Sequence, residues 1–284
     1  MLPYVAEILS DSSSDEYLAL SGFNELTSLG NIVVMDRSDR AEAFADCLLA
    51  CDLFDNINGN EGSDLLPDFA GECVMAISDD GNAPYSNILP DVTAMKEATV
   101  KTVLATLDSA ASAKITILPS PFMAAYGMND VDTLLYASDC ALLVVSPLRL
   151  IAAQTRNAGK IAVFADSESA DTDIYATIFG EDRVLVYDCD SLPVLDAFFE
   201  EYWSQGENEP VDFVVVDNVN VNVRALETEY GTDFRFIDTR DVAAREVYRL
   251  MRKGNLFTHA IAYPVKARLM TSFKDDYSLY NVQD

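Results

Sequence analysis

The chain has 284 residues, half of them apolar, and 47 acidic against 19 basic residues give a formal net charge of -28. That length holds one large α/β domain or two small ones around a sizeable core, and no apolar stretch approaches the roughly 20 residues needed to span a bilayer. A negative field of this size repels nucleic acid and anionic membranes and favours cations or neutral ligands, so neither nucleic acid nor a membrane is an expected partner.

The simplest use of the acidity is a heavily solvated surface. The opening MLPYVAEILSDSSSDEY lacks a basic stretch ahead of an apolar core, so no export signal is expected. Five cysteines, an odd number without framework spacing, fit a reducing compartment. A cytoplasmic or intracellular protein is the expectation. Cys47 and Cys51 lie one helical turn apart, but no His or Cys nearby completes a zinc site, and they read as core thiols.

Residues 1–30 combine an apolar opening, an acidic Ser-rich stretch and a short helix closed by Gly30, and are expected to form an N-terminal arm ahead of a domain over 31–284. Ile32 to Met35 reads as a strand, Asp36 to Arg40 as a tight polar turn, and the next helix places Phe44, Cys47, Leu48 and Cys51 at helical spacing. Ligands of open parallel sheets sit outside the carboxyl ends of the strands, so this strand, turn and helix is the first place to seek a site. DNINGNEGSDLLPDFAG reads as a long loop. Glu72 to Ser78 is a strand followed by the loop DDGNAPYSN, and Val92, Met95, Val100, Val103, Leu104 and Leu107 share one face of a helix opened by Pro90. Lys114 to Leu118 is a strand closed by Pro119-Ser120-Pro121, with a short helix at Phe122 to Tyr126. Cys140 to Val145 is a strand ending at Ser146-Pro147, followed by a helix from Leu148 to Asn157.

The second half keeps alternating. Strands are expected at Ile161 to Ala165, Val184 to Tyr187, Phe213 to Val216 and Phe234 to Ile237, and helices at Ala170 to Phe179, Leu192 to Trp203, Arg224 to Tyr230 and Asp241 to Arg252. His259 to Met270 adds an edge strand. Short apolar runs separated by helices describe a single α/β domain with a mostly parallel sheet and helices on both faces.

Polar residues recur where these runs stop: Asp36, Ser78 with Asp79, Ser120, Ser146, Asp166, Asp188 and Asp190, Asp217, Asp238. Along one sheet edge these carboxylates would repel one another, and a hard cation such as calcium or magnesium would relieve that. The competing explanation is that Asp and Ser at strand ends cap the following helix and need no ligand. His259, the single histidine, sits in an apolar run and reads as structural. No GxSxG, P-loop or GxGxxG stands between a strand and a helix. Asp188-Cys189-Asp190 has the DxD spacing of haloacid dehalogenase-like phosphotransferases, with too little chain after it for the rest of that fold.

The order of elements and several short stretches resemble the nucleoside hydrolase family, which cleaves the N-glycosidic bond of ribonucleosides with bound calcium. Asp36 to Phe44 is similar to the family's opening DxDxGxDDA, Gly59-Asn60 to its GN loop, and KITILPSPFMAAY to its strand and GPLTN turn. ADSESADTDIYATIFGEDRVLVYDCDS is similar to its ADPEAA helix and the next strand, and Arg240-Asp241 to its late His-Asp pair. The resemblance implies a nucleoside hydrolase-like fold over residues 31–252, with Asp36 as calcium ligand and water-activating base, and Glu42 on the first of the paired aspartates. It also puts Asn60 near the ribose, and Met123, through its backbone carbonyl, and Asp241 on calcium.

The family pattern is incomplete. Ser38 and Ala43 replace carboxylates, Lys160 and Ala162 stand where the family binds substrate with Glu and Asn, and Arg240 replaces the histidine. Asp36, Met123 and Asp241 supply three of the roughly six to eight oxygens calcium takes. The expected function is a non-catalytic pseudoenzyme of this fold with a degraded calcium site, acting as a structural or binding component with protein partners or as a homo-oligomer. The alternative is a diverged calcium-dependent nucleoside N-ribohydrolase with Asp36 as general base and Glu42 in place of a lost ligand. A metal-free ligand-binding α/β protein is the third reading.

Overall fold

The computed structural model describes residues 1–189, 195–200, 211–219, 221–230, 234–258, 260, 262–272 and 278–281. His259, Asp190 and both ends of the expected helix from Leu192 to Trp203 lie outside them; residues 195–200 of that helix are helical. The strands are β1 (Asn31–Asp36), β2 (Cys73–Ser78), β3 (Ala113–Ile117), β4 (Leu143–Val145), β5 (Lys160–Ala165), β6 (Val184–Asp188), β7 (Val211–Asp217), β8 (Arg235–Asp238), β9 (Val265–Ser272) and β10 (Ser278–Asn281). They fall into two compact units, Met1–Ser146 with Ala243–Asp284, and Pro147–Val242.

The first unit holds a six-stranded sheet in the order β10-β9-β2-β1-β3-β4. Its central strand explains the order: Ile32, Val33, Val34 and Met35 are all fully buried, so β1 needs neighbours on both edges and layers on both faces. It pairs in parallel with β2, Val33 opposite Met75, and with β3, Val34 opposite Ile117. Helix α3 (Ser38–Ala50) packs on β1 and β2 through Ala41, Phe44, Ala45 and Leu48. Helix α4 (Val92–Thr106) buries Met95, Val100 and Val103, and the buried hydroxyls of Thr99 and Thr102 bond back to the Met95 and Ala98 carbonyls. A π-helical turn at Met123–Gly127 runs into α5 (Met128–Ala137).

Two helices form where an arm was expected, α1 (Pro3–Ser10) and α2 (Asp15–Gly22). Val5, Ile8 and Leu20 are buried, and the Leu2 amide donates to the Asp130 carboxylate at 2.9 Å, so residues 1–30 belong to the first unit. The last strands also differ from expectation. β9 lies between β2, its parallel partner, and β10, its antiparallel one, so it is an interior strand.

At the opposite end of β3 from the strand termini that carry the aspartates, Lys114 is fully buried. Its ammonium donates to Glu72 Oε2 at 2.5 Å, to the Ser28 carbonyl at 3.0 Å and to the Leu256 carbonyl at 2.9 Å, which uses all three donors. Glu72 Oε1 accepts the Thr258 amide at 2.7 Å.

The second unit holds an all-parallel four-stranded sheet, β6-β5-β7-β8. Helices α6 (Pro147–Gln154), α7 (Ser167–Ala170), α8 (Ile174–Phe179) and α9 (Val223–Tyr230) belong to it. A core rich in Phe and Val, including Phe164, Phe198, Phe199, Val214, Val216 and Phe234, holds it together. The helix expected from Ala170 to Phe179 begins only at Ile174, separated from α7 by Asp171-Thr172-Asp173, residues whose side chains compete for backbone groups and favour caps over helix interiors. The division between the units falls within α10 (Thr239–Gly254).

The α/β class with mostly parallel strands is therefore as expected, and β9 with β10 is the one antiparallel pairing among the named strands. The strands form two sheets where one was expected, since alternation of strand and helix does not reveal which strands pair. Among the described residues no helix is long and apolar enough to cross a membrane.

Candidate functional site

The carboxyl end of the six-stranded sheet brings two buried carboxyls together. Asp36 ends β1 and Asp79 follows β2, with 1% and 0% of their surfaces exposed. The Asp79 amide donates to the Asp36 carbonyl at 2.8 Å, continuing the parallel ladder one step past the pair Asp36 and Ser78. Asp36 Oδ1 accepts the Arg37 amide at 2.7 Å. Asp36 Oδ2 is buried without a hydrogen-bond partner, and the buried Arg40 guanidinium, one turn into α3, places Nε 3.7 Å from it. Asp79 Oδ1 accepts from the Asn82 amide at 2.8 Å; its Oδ2 accepts from the Tyr85 hydroxyl at 3.0 Å and from Thr102 of α4 at 3.4 Å.

Both carboxyls hold protons far more tightly than a solvated aspartate. Burial pushes Asp36 up to about 7; the Arg40 charge, the Arg37 amide and the Arg37 charge pull the other way, and the Asp79 charge adds to the rise. Burial likewise pushes Asp79 up to about 7, against its hydrogen bonds from Asn82, Tyr85 and Thr102 and with a push from Asp80. A desolvated carboxyl that titrates near neutrality exchanges a proton with little penalty in either direction.

Local chemistry explains how the site assembles. Asp80 Oδ1 accepts the Ser38 amide at 3.0 Å, supplying the cap that Arg37 at the N-cap position of α3 does not. The Asp79 carbonyl accepts the Asn82 and Ala83 amides, turning the chain so that Asn82 and Tyr85 reach back to the Asp79 carboxyl. Two further hydroxyls stand at this edge: Ser120 Oγ accepts the Met123 amide at 3.4 Å, and Ser146 Oγ, after β4, is buried without a hydrogen-bond partner.

Of the residues expected from sequence, Asp36 stands at this edge. Glu42 pairs with Arg268 of β9 at 2.9 Å. Asn60 is exposed in the loop after α3, where its amide donates to Asn58 Oδ1 and its carbonyl accepts the Asp55 amide. Met123 is fully buried, and its carbonyl accepts the Met128 amide within the π-helical turn, so the oxygen expected on calcium already closes a backbone bond. Asp241 stands in the first turn of α10, within the second unit. Among the described residues no group of three or more His, Cys, Asp or Glu side chains could hold a metal ion.

At the strand ends of the second unit one aspartate caps a helix and the others hold neighbouring side chains. Asp166 accepts the Ser169 amide at 3.1 Å and caps α7. Asp188 accepts from Ser167, and Asp238 pairs with Arg240 at 2.8 Å. The buried Asp217 carboxylate receives the Tyr175 hydroxyl at 2.5 Å and the Thr239 hydroxyl at 3.0 Å. Sequence reasoning missed Asn82, Tyr85 and Thr102. The first two carry a readable signal, the even spacing of Asp79, Asn82 and Tyr85 in the turn that follows an apolar strand.

No family model matches the chain, and no curated protein matches it in sequence. Solved structures do share its fold. Glutamate racemase RacE1 from Bacillus anthracis is 15% identical with a TM-score of 0.55, covering 87% of this chain and 90% of its own. The glutamate racemase of Francisella tularensis, solved with D-glutamate, is 14% identical with a TM-score of 0.56 over 88% of this chain and 91% of its own. That of Thermus thermophilus, solved with beta-chloro-D-alanine, is 13% identical with a TM-score of 0.55 over 88% and 91%.

The chain thus has the α/β fold of the glutamate racemases. This overturns the resemblance to nucleoside hydrolases, and with it both functions drawn from that family: the pseudoenzyme with a degraded calcium site and the diverged N-ribohydrolase. The resemblance rested on the order of elements and on short, incompletely matched stretches, most of them at strand ends, and alternating strands with polar ends are common to parallel α/β folds and do not separate one from another.

Proposed function

We propose that this chain transfers a proton at the carbon next to the carboxylate of a small α-amino acid, with Asp36 as the acid-base group and Asp79 as its coupled partner. The observation that carries the reading is Asp36 Oδ2: a buried carboxyl oxygen with no hydrogen-bond partner, on a group with pKa about 7, at the carboxyl edge of a parallel sheet. The fold shared with glutamate racemases, one of them solved with D-glutamate, supports the choice of substrate class. A zwitterion also suits a chain of charge -28 better than a dianion does.

In the proposed step Asp36 takes the α-proton and the electron pair left on carbon delocalises into the substrate carboxylate, beside the buried positive charge of Arg40. Return of the proton from Asp36 restores the original hand, and return from a second acid inverts it. Proton NMR in D2O with each chiral proteinogenic amino acid tests this. Loss of the α-proton signal with the native protein, and its persistence with Asp36→Asn, is the expected result. Chiral chromatography of the same samples separates exchange from inversion. If no amino acid exchanges faster with the protein than in buffer, the reading is wrong.

A further inference from the structure

A cavity of about 500 Å³ lies in the first unit, between the loop after α3 and the C-terminal half of α10, and its lining includes Asn56, Leu66, Asp68, Tyr248, Arg252 and Phe257. Cavities of this volume suit small ligands. The walls are packed and hydrogen-bonded among themselves. Phe54 stacks on the Tyr248 ring at 4.2 Å between centroids, and Phe69 and Phe257 meet it edge-on at 6.4 and 5.3 Å. The Arg252 guanidinium spans the Asn56 and Ile57 carbonyls at 3.3 and 3.4 Å. Gly59, at a φ of 77°, lies so close to Arg252 that a Cβ there would collide with it.

Two features of the lining indicate what would fill it. The Tyr248 side chain is 2% exposed, and no hydrogen bond of acceptable geometry reaches its hydroxyl. Burial pushes this phenol up, while the nearby Arg252 charge pulls it down, so the hydroxyl stays protonated beside a cation. A hydroxyl donor and a guanidinium in one cavity match a carboxylate, which accepts from both. Leu66, Ala70 and Phe257 supply an apolar wall. Asp68 already accepts the Leu53 and Phe54 amides at 2.8 and 3.1 Å, which engages both of its oxygens.

We propose that this cavity binds a small aromatic monocarboxylate, its carboxylate on Tyr248 and Arg252 and its ring against Phe257 and Leu66. The site shares no residue with the Asp36 and Asp79 edge and does not depend on the function proposed there. Calorimetric titration with phenylacetate and with its neutral analogue phenylacetamide tests it on the native protein. Phenylacetate is expected to bind at least roughly tenfold more tightly than the amide, the advantage of an ionic hydrogen bond over a neutral one. Arg252→Gln should remove that preference, and Tyr248→Phe should weaken phenylacetate several-fold, with circular dichroism confirming that each variant is folded. Equal binding of acid and amide, no phenylacetate binding up to about 10 mM, or unchanged affinity in both folded variants would overturn the proposal.

Discussion

The amide of Asp79 bonds the carbonyl of Asp36 across adjacent parallel strands at 2.8 Å, so two buried carboxyls with pKa about 7 leave the sheet one step apart. Their proton affinities are coupled to folding. In the unfolded chain each loses its proton near 3.8, whereas in the folded chain each keeps it to about 7. Between those values the folded state binds more protons, so these groups make stability fall as pH rises from about 4 to 7 and leave it level above. Urea unfolding at pH 5 and pH 8 should show the native protein losing about 5 kcal/mol more over that interval than Asp36→Asn/Asp79→Asn. General repulsion among the acidic residues acts on both proteins, so the difference between them is the readout. Parallel pH profiles would contradict the assignment.

Lys114 and Glu72 are a fully buried ion pair at 2.5 Å. Removing one partner leaves an uncompensated charge in the interior. Lys114→Met should cost about 3–5 kcal/mol in denaturant unfolding, and Lys114→Met/Glu72→Met should recover most of that loss. A double variant no more stable than the single one would show that the bonds to the Ser28 and Leu256 carbonyls, not the ion pair, carry the effect.

Tyr175 and Thr239 converge on the buried carboxylate of Asp217 in the second unit. Tyr175→Phe removes one charge-assisted hydrogen bond and should destabilise by about 1.5–3 kcal/mol. Amide hydrogen exchange along β7 reads this locally; protection there that matches the native protein would dismiss the bond as a stabilising one.

Gly71 has a φ of 83°, and a Cβ on it would run into the Ala260 carbonyl. Backbone strain and collision act together, so Gly71→Ala should lower the thermal midpoint, by about 1–3 kcal/mol in stability terms. An unchanged midpoint would mean the turn relaxes freely.

Much of the fold is legible in the sequence because buried strands write themselves as apolar runs: Ile32 to Met35 and Ile161 to Ala165 are found where they were expected. Pairing is not legible in the same way. Cys73 lies opposite Val265, and nothing local to either residue announces a partner so far along the chain. At the site, Asp36 and Asp79 are legible as polar strand ends, yet Asp166 and Asp188 carry the same signal and cap or anchor local turns. What separates them is burial and the direction of each neighbour's side chain. Arg40 illustrates this: in the sequence it is the last residue of a tight polar turn, and in the fold it is 1% exposed beside Asp36.

The path of the chain through the six-stranded sheet has a consequence for synthesis on the ribosome. The second unit is continuous, Pro147–Val242, while the first needs Ala243–Asp284 as well as Met1–Ser146. All four strands of the second sheet have therefore been translated before β9, and until then β2 has β1 alone beside it and offers an open edge. Open edges of apolar strands invite pairing with other chains. The same delay applies to Lys114, whose third acceptor, the Leu256 carbonyl, arrives only after the whole second unit. The half of the protein translated first is thus the last to be completed, and it depends most on protection while nascent.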